Sequence, residues 1–211
     1  MTTARDAAQW RGADEMWLDH ATLRERDLAW LAPIRVLTLW AVKLPPGLLA
    51  ALPALEHVDV RGGSGTSVEV VTGCRGLRSL RVNQVRGVTD LSAVVDLASL
   101  ELLSLYGLPR VAAIPSLAPL TALRRIEVGS MAGLHGLTGV HDAPALEELW
   151  LVNAVGVAPD DAGRLAENAT LRELSWDAPD VPVSTTRPFL ERVGRPRARG
   201  MHIADWFTAR S

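Results

Sequence analysis

The sequence predicts an α/β solenoid: short strands stacked side by side into one parallel sheet, with the chain returning along the far side of every turn. Three observations carry this. The pattern apolar-x-x-apolar-x-apolar occurs seven times, at Ile34, Leu37, Leu39; Leu55, Val58, Val60; Leu77, Leu80, Val82; Leu100, Leu103, Leu105; Leu123, Ile126, Val128; Leu146, Leu149, Leu151; and Leu171, Leu174, Trp176. Successive copies start 21, 22, 23, 23, 23 and 25 residues apart, room for one strand and one return. Within each copy the fourth and sixth places alternate with others, so they point inward while places 3, 5 and 7 point outward.

The elements follow in order. One period before Ile34, residues Ala13, Met16 and Leu18 repeat the pattern weakly, which predicts a capping strand over 13–19 with residues 1–12 as its lid. Trp10 and Trp30 are expected to pack there, because a terminal repeat must shield a core that lacks a neighbour on one side. Of the returns, 44–52 and 159–168 read as helical. The second has Pro159 and two aspartates where a helix N-terminus favours them. The return over 111–120, with Pro115 and Pro119, reads as turns. Residues 62–66, Gly-Gly-Ser-Gly-Thr, form a flexible rim loop. Beyond Trp176 the pattern breaks, a helical stretch runs near Pro188 to Val193, and Met201 with Ile203 predicts a ninth strand, Trp206 and Phe207 closing that end. One domain is expected over 1–211: an N-terminal cap (1–30), repeats (31–179) and a C-terminal cap (180–211).

The core L-x-x-L-x-L, as in L-R-S-L-R-V, L-E-L-L-S-L and L-E-E-L-W-L, resembles the leucine-rich repeat superfamily, short class, over roughly residues 13 to 204. That resemblance implies a curved right-handed coil with a parallel concave sheet and a mixed helical and 3₁₀ convex side. It also implies a surface that holds proteins or peptides. The family usually has Asn or Cys three residues beyond the last strand leucine. Here that column reads Val42, Gly63, Val85, Leu108, Met131, Ala154 and Pro179; many short-class units carry apolar residues there, so the fold expectation stands while the family pattern does not fix the loop geometry.

Composition narrows the classes. A net charge of −2 gives no general attraction to polyanions. Lys43 is the only lysine, and arginine carries the remaining positive charge, a bias typical of a GC-rich bacterial genome. The N-terminus lacks the apolar core of a signal peptide, and no stretch approaches the ~20 apolar residues of a membrane span. The single cysteine, Cys74, cannot form an internal disulfide, whereas secreted repeat proteins of this type commonly staple their caps; a cytoplasmic setting is the expectation. Cys74 falls in a column otherwise held by Leu31, Leu52, Leu97 and Leu120, so it reads as core.

The outward rows map a surface. Place 5 reads Trp17, Thr38, Asp59, Arg81, Ser104, Glu127, Trp150, Ser175; place 7 reads Asp19, Trp40, Arg61, Asn83, Tyr106, Gly129, Val152, Asp177; place 3 includes His57, Arg125, Glu148 and Glu173. Trp40, His57, Asp59, Arg61, Arg81, Asn83, Tyr106, Glu127 and Trp150 are the candidate binding residues. Trp, Tyr and Arg dominate protein interfaces because each buries a large area and keeps a polar handle. Trp17 has two readings, packing under the lid or facing a partner, and Asp59, Arg61 and Arg81 read equally well as lateral ion pairs. The five histidines are scattered without ligand spacing, and no phosphate loop, dinucleotide fingerprint or nucleophile elbow occurs, so neither metal nor cofactor is expected. The leading expectation is a non-enzymatic scaffold whose concave sheet docks a protein or peptide, as an adaptor, a regulator or an immunity-type inhibitor. The alternative is an enzyme or small-molecule binder with an acid/base site drawn from His57, Asp59 and Glu127 in the central groove. Nucleic-acid binding would need Arg192, Arg195, Arg197 and Arg199 to join a positive stripe, and the acidic C-terminal half of the face argues against it.

Overall fold

The computed structural model describes residues 3–200 and 202–210. Nine strands form one sheet in chain order: β1 (Ala8–Trp10), β2 (Glu15–Asp19), β3 (Val36–Trp40), β4 (His57–Arg61), β5 (Ser79–Asn83), β6 (Leu102–Tyr106), β7 (Arg125–Met131), β8 (Glu148–Val155) and β9 (Glu173–Asp177). The seven pairings from β2 to β9 are parallel, and each aligns equal places of the repeat, as in Trp17, Thr38, Asp59, Arg81, Ser104, Glu127, Trp150, Ser175. Equal places must align because a slip of one residue would turn every core leucine outward.

The N-terminal lid is itself a strand: β1 pairs antiparallel with β2 and supplies the sheet edge. Trp10 departs from expectation, since it is 50% exposed. On a three-residue edge strand its place faces water. Trp30 does pack against the core, and its indole donates to Asp27 at 3.0 Å.

The returns carry α1 (Leu28–Leu31), α2 (Thr138–His141) and α3 (Asp161–Glu167), with 3₁₀ turns at Leu49–Ala51, Glu69–Val71 and Ser92–Asp96, and α4 (Val183–Val193) follows the last strand. The helix expected over 44–52 shrinks to such a turn, because Pro45 and Pro46 remove donors and Gly47 sits at φ +75°. Residues 111–120 contain no regular element, as their prolines require.

The parallel strands β2 to β8 each carry a left-handed residue, just past the end of β2 to β6 and inside β7 and β8: His20, Ala41, Gly62, Gln84, Gly107, Ser130 and Asn153 all have φ between 46° and 65°. This bend aims the amide of residue 20, 41, 62, 84 or 107 at the place-7 carbonyl of the next strand, as in Ala41 N–H to Arg61 O at 2.8 Å. For a residue with a Cβ this conformation costs about 1 to 2 kcal/mol.

The core is one continuous ladder of buried Leu, Val and Ile from Met16 to Val193. Cys74 lies in it at 7% exposure, and burial pushes its thiol up to about 11. Native protein should therefore label slowly with a thiol reagent and quickly once denatured, followed by the loss of free thiol. Cys74→Ser should cost roughly 1 to 3 kcal/mol, as expected for a hydroxyl without a partner in an apolar site. Fast native labelling would contradict the register around Leu77.

The ninth strand expected at the C-terminus is not formed by the described residues; Met201 lies outside them. Ile203–Thr208 is a helix, α5. The preceding segment runs along the open edge of β9, where Leu174 N–H donates to Pro196 O at 2.9 Å and Ser175 Oγ to Ala198 O at 3.1 Å. The chain then turns back over the sheet, so Trp206 and Phe207 meet strands β8 and β4 instead of closing the end. The far end is covered by α4, whose Phe189 packs edge-on against Trp176 at 5.1 Å.

Candidate functional site

Every predicted surface residue lies on the outward side of β3 to β8. At the N-terminal end Trp17 and Trp40 stack with ring centroids 5.8 Å apart, and the guanidinium groups of Arg61 and Arg11 lie 5.1 and 5.6 Å from the Trp17 ring. Trp17 is part of the N-terminal hairpin, half-buried against Trp40, Arg61 and Arg11, and lines the face. Arg61 donates twice to Asp59, at 2.8 and 2.6 Å, and Arg81 reaches the same carboxylate oxygen at 3.4 Å. The ion-pair reading of these residues holds, and with it an arginine-rich, aromatic wall. Among the described residues, Asp59 Oδ1 and Arg81 Nε have no hydrogen-bond partner.

Between this wall and α5 lies a groove of about 480 Å³, bounded by Trp17, Thr38, His57, Asp59, Arg61, Arg81 and the tail residues His202, Ile203 and Phe207. Burial holds the His57 imidazole below its usual pKa, against the pull of the Glu56 carboxylate. Its ring meets the edge of Phe207 at 4.8 Å. A second, shallower depression of about 280 Å³ gathers Arg81, Asn83, Ser104, Tyr106, Glu127 and Trp150. Tyr106 lies flat across Gly129, where a Cβ would come within 2.5 Å of the ring, and its hydroxyl accepts from Asn153 Nδ2 at 2.9 Å. Glycine is needed there for space.

The acid/base constellation is not brought together. Glu127 stands three strands from Asp59 in the register, about 14 Å at ordinary strand spacing, and is bonded to Arg125. Asp59 is engaged by two arginines.

Trp150 is placed differently from a free anchor. Its indole donates to Asp177 at 2.8 Å, and a Cβ on Gly200 would lie 3.0 Å from its ring, so the tail crosses directly above it. Glu148 is 6% exposed and accepts the Trp206 indole at 2.9 Å; burial raises its pKa even though Arg125 opposes this. Two of the four arginines of the basic cluster are engaged locally. Arg195 caps the end of α3 through the carbonyls of Ala166, Asn168 and Leu171, and Arg197 pairs with Asp177.

One column escaped the sequence reading. The residue before place 3 runs Asp14, Arg35, Glu56, Arg78, Glu101, Arg124, Glu147, Arg172, alternating in sign at every repeat. The structure pairs Arg35 with Asp14 and Glu56, Arg78 with Glu56 and Glu101, and Arg124 with Glu147. Opposite charges across neighbouring strands favour the observed register, and writing out that column would have revealed the ladder. The tail's Arg210 joins it at Glu147, 2.9 Å away.

The repeat register, the single sheet and the short convex returns make this chain a leucine-rich repeat solenoid. A solved structure agrees: an internalin, inlF, from Listeria monocytogenes str. 4b F2365 matches with a TM-score of 0.51 and 16% identity, over 83% of this chain. The match covers 56% of the internalin chain. No protein-family model matches the sequence, and no curated protein does. No helix among the described residues is long and apolar enough to cross a membrane.

Proposed function

We propose that this chain is a non-catalytic scaffold that docks a protein or peptide on the outward, concave face of its sheet, as a single repeat domain working in the cytoplasm. The observation that carries the reading is the alignment of Trp40, Arg61, Arg81, Asn83 and Tyr106 along one face, half-buried and open on the place-7 side. Such a row offers aromatic area and arginine donors without rotamer-rich lysines. That is the composition of an interface centre. The competing small-molecule reading has the groove of about 480 Å³ in its favour, but the acid and base it would need stand apart.

Affinity capture with the tagged full chain, followed by titration of the recovered partner, tests the proposal. Trp40→Ala and Arg81→Gln should each weaken binding by about 30-fold, roughly 2 kcal/mol, while leaving a cooperative melt. Arg81→Gln should also flatten the salt dependence of association. Parent-like affinity in both variants would overturn the concave-face assignment.

A further inference from the structure

Part of the proposed docking face is already occupied by the chain itself. Trp206 is 1% exposed, yet it stands outside the continuous apolar core, against Glu148, Phe207 and the Arg210 guanidinium 4.5 Å from its ring. Phe207 is held between the His57 ring and Arg78, whose guanidinium lies 5.0 Å away. Arg210, one helical turn beyond Trp206, pairs with Glu147. The seat therefore reads three features of a helix: two adjacent aromatic side chains and a basic residue four places after the first.

The attachment has the character of a bound ligand. The backbone hydrogen bonds of α5 close on itself, as in Trp206 N–H to His202 O and Ala209 N–H to Asp205 O. The tail's backbone meets the sheet edge at Leu174 N–H to Pro196 O, 2.9 Å. His202, Asp205, Thr208, Ala209 and Arg210 are exposed. A six-residue helix has no stability of its own in water, so only its seat keeps it folded. The tether leaves α4 through Gly194 in the left-handed conformation, φ 64°.

We propose that α5 is a resident, displaceable ligand of the concave face, and that the protein partner enters by presenting a helix of the same chemistry, an adjacent aromatic pair followed by a basic residue, in competition with it. This rests on the scaffold reading above and names its partner class. Ligand and competitor bind one site, so the closed tail lowers apparent affinity by the fraction of molecules in which it is seated.

The test uses the full chain and a fluorescein-labelled peptide of residues 195–211, followed by anisotropy. Trp206→Ala/Phe207→Ala should vacate the seat and bind the peptide at least tenfold more tightly than the parent does. The same two changes placed in the peptide should abolish that gain. Arg210→Glu in the full chain keeps the aromatic pair and repels Glu147; it should raise peptide affinity at least threefold, which keeps the test decisive if the double variant fails to fold. Equal binding to parent and variants, or no saturable binding to a folded variant, overturns the proposal. A captured partner that binds parent and Arg210→Glu equally would overturn it while leaving the scaffold role standing. If peptide exchange behaves as stated and no partner is captured, the scaffold role alone is weakened.

Discussion

Gly156→Ala should be among the most damaging single-methyl additions in this molecule, lowering stability by about 3 kcal/mol or more and the melting temperature by roughly 10 °C. Gly156 follows β8, and its amide donates to Met131 O of the preceding unit at 3.1 Å. A Cβ there would stand 1.9 Å from the Leu134 carbonyl oxygen and 2.8 Å from its carbon. Those are backbone atoms of a buried residue, so no rotamer change can relieve the clash; two adjacent turns of the solenoid would have to separate. Gly47→Ala separates space from conformation, because nothing lies within 4 Å of its added Cβ while its φ is +75°. That variant should lose only about 1 kcal/mol. Thermal melts of the two compare them directly, and a Gly156→Ala melt within a degree or two of the parent would disprove so close a stacking.

The strand rows could be read from the sequence because two physical rules act together. Apolar spacing fixes which side chains turn inward, and a parallel stack then has only one register that keeps them there. Trp40, Arg61, Asn83 and Tyr106 consequently occupy the row that their place in the repeat assigns. The left-handed bend of strands β2 to β8 is hidden in the sequence because only two of its seven positions hold glycine, so composition carries no signal. The tail differs from its expected strand for another reason. Met-His-Ile is too short to tell a strand from the start of a helix by periodicity, and what decides is the seat. Glu148 lies 58 residues from Trp206, and Glu147 lies 63 from Arg210. Trp150 inherited that error, since its outward place was predicted from the repeat but the chain that covers it was not.

The second large effect is expected on the convex side, at Asp161. This carboxylate is 1% exposed at the start of α3 and ties two units together. One oxygen accepts from the amides of Leu137 and Ala158, at 3.0 and 2.6 Å, and the other faces His141 Nε2 at 2.8 Å. Asp161→Ala would leave the buried Leu137 amide, the buried His141 imidazole and the part-buried Ala158 amide without this partner, at about 1 to 3 kcal/mol for each buried unsatisfied group, so a loss of about 3 to 5 kcal/mol is expected. Asp161→Asn keeps an acceptor for the amides and should lose less. Burial alone would raise the Asp161 pKa, but the hydrogen bonds from His141, Ala158 and Leu137 outweigh it and hold the group below the usual carboxylate value. Because the folded state lowers this pKa, its contribution is complete above the ordinary aspartate value of about 4 and disappears as pH falls through the folded value. Urea unfolding measured from pH 6 downward should show the parent losing stability below about pH 4 more steeply than Asp161→Asn, which has no proton to gain at this position. Parallel acid profiles for the two proteins would show that Asp161 is not held ionised by these bonds.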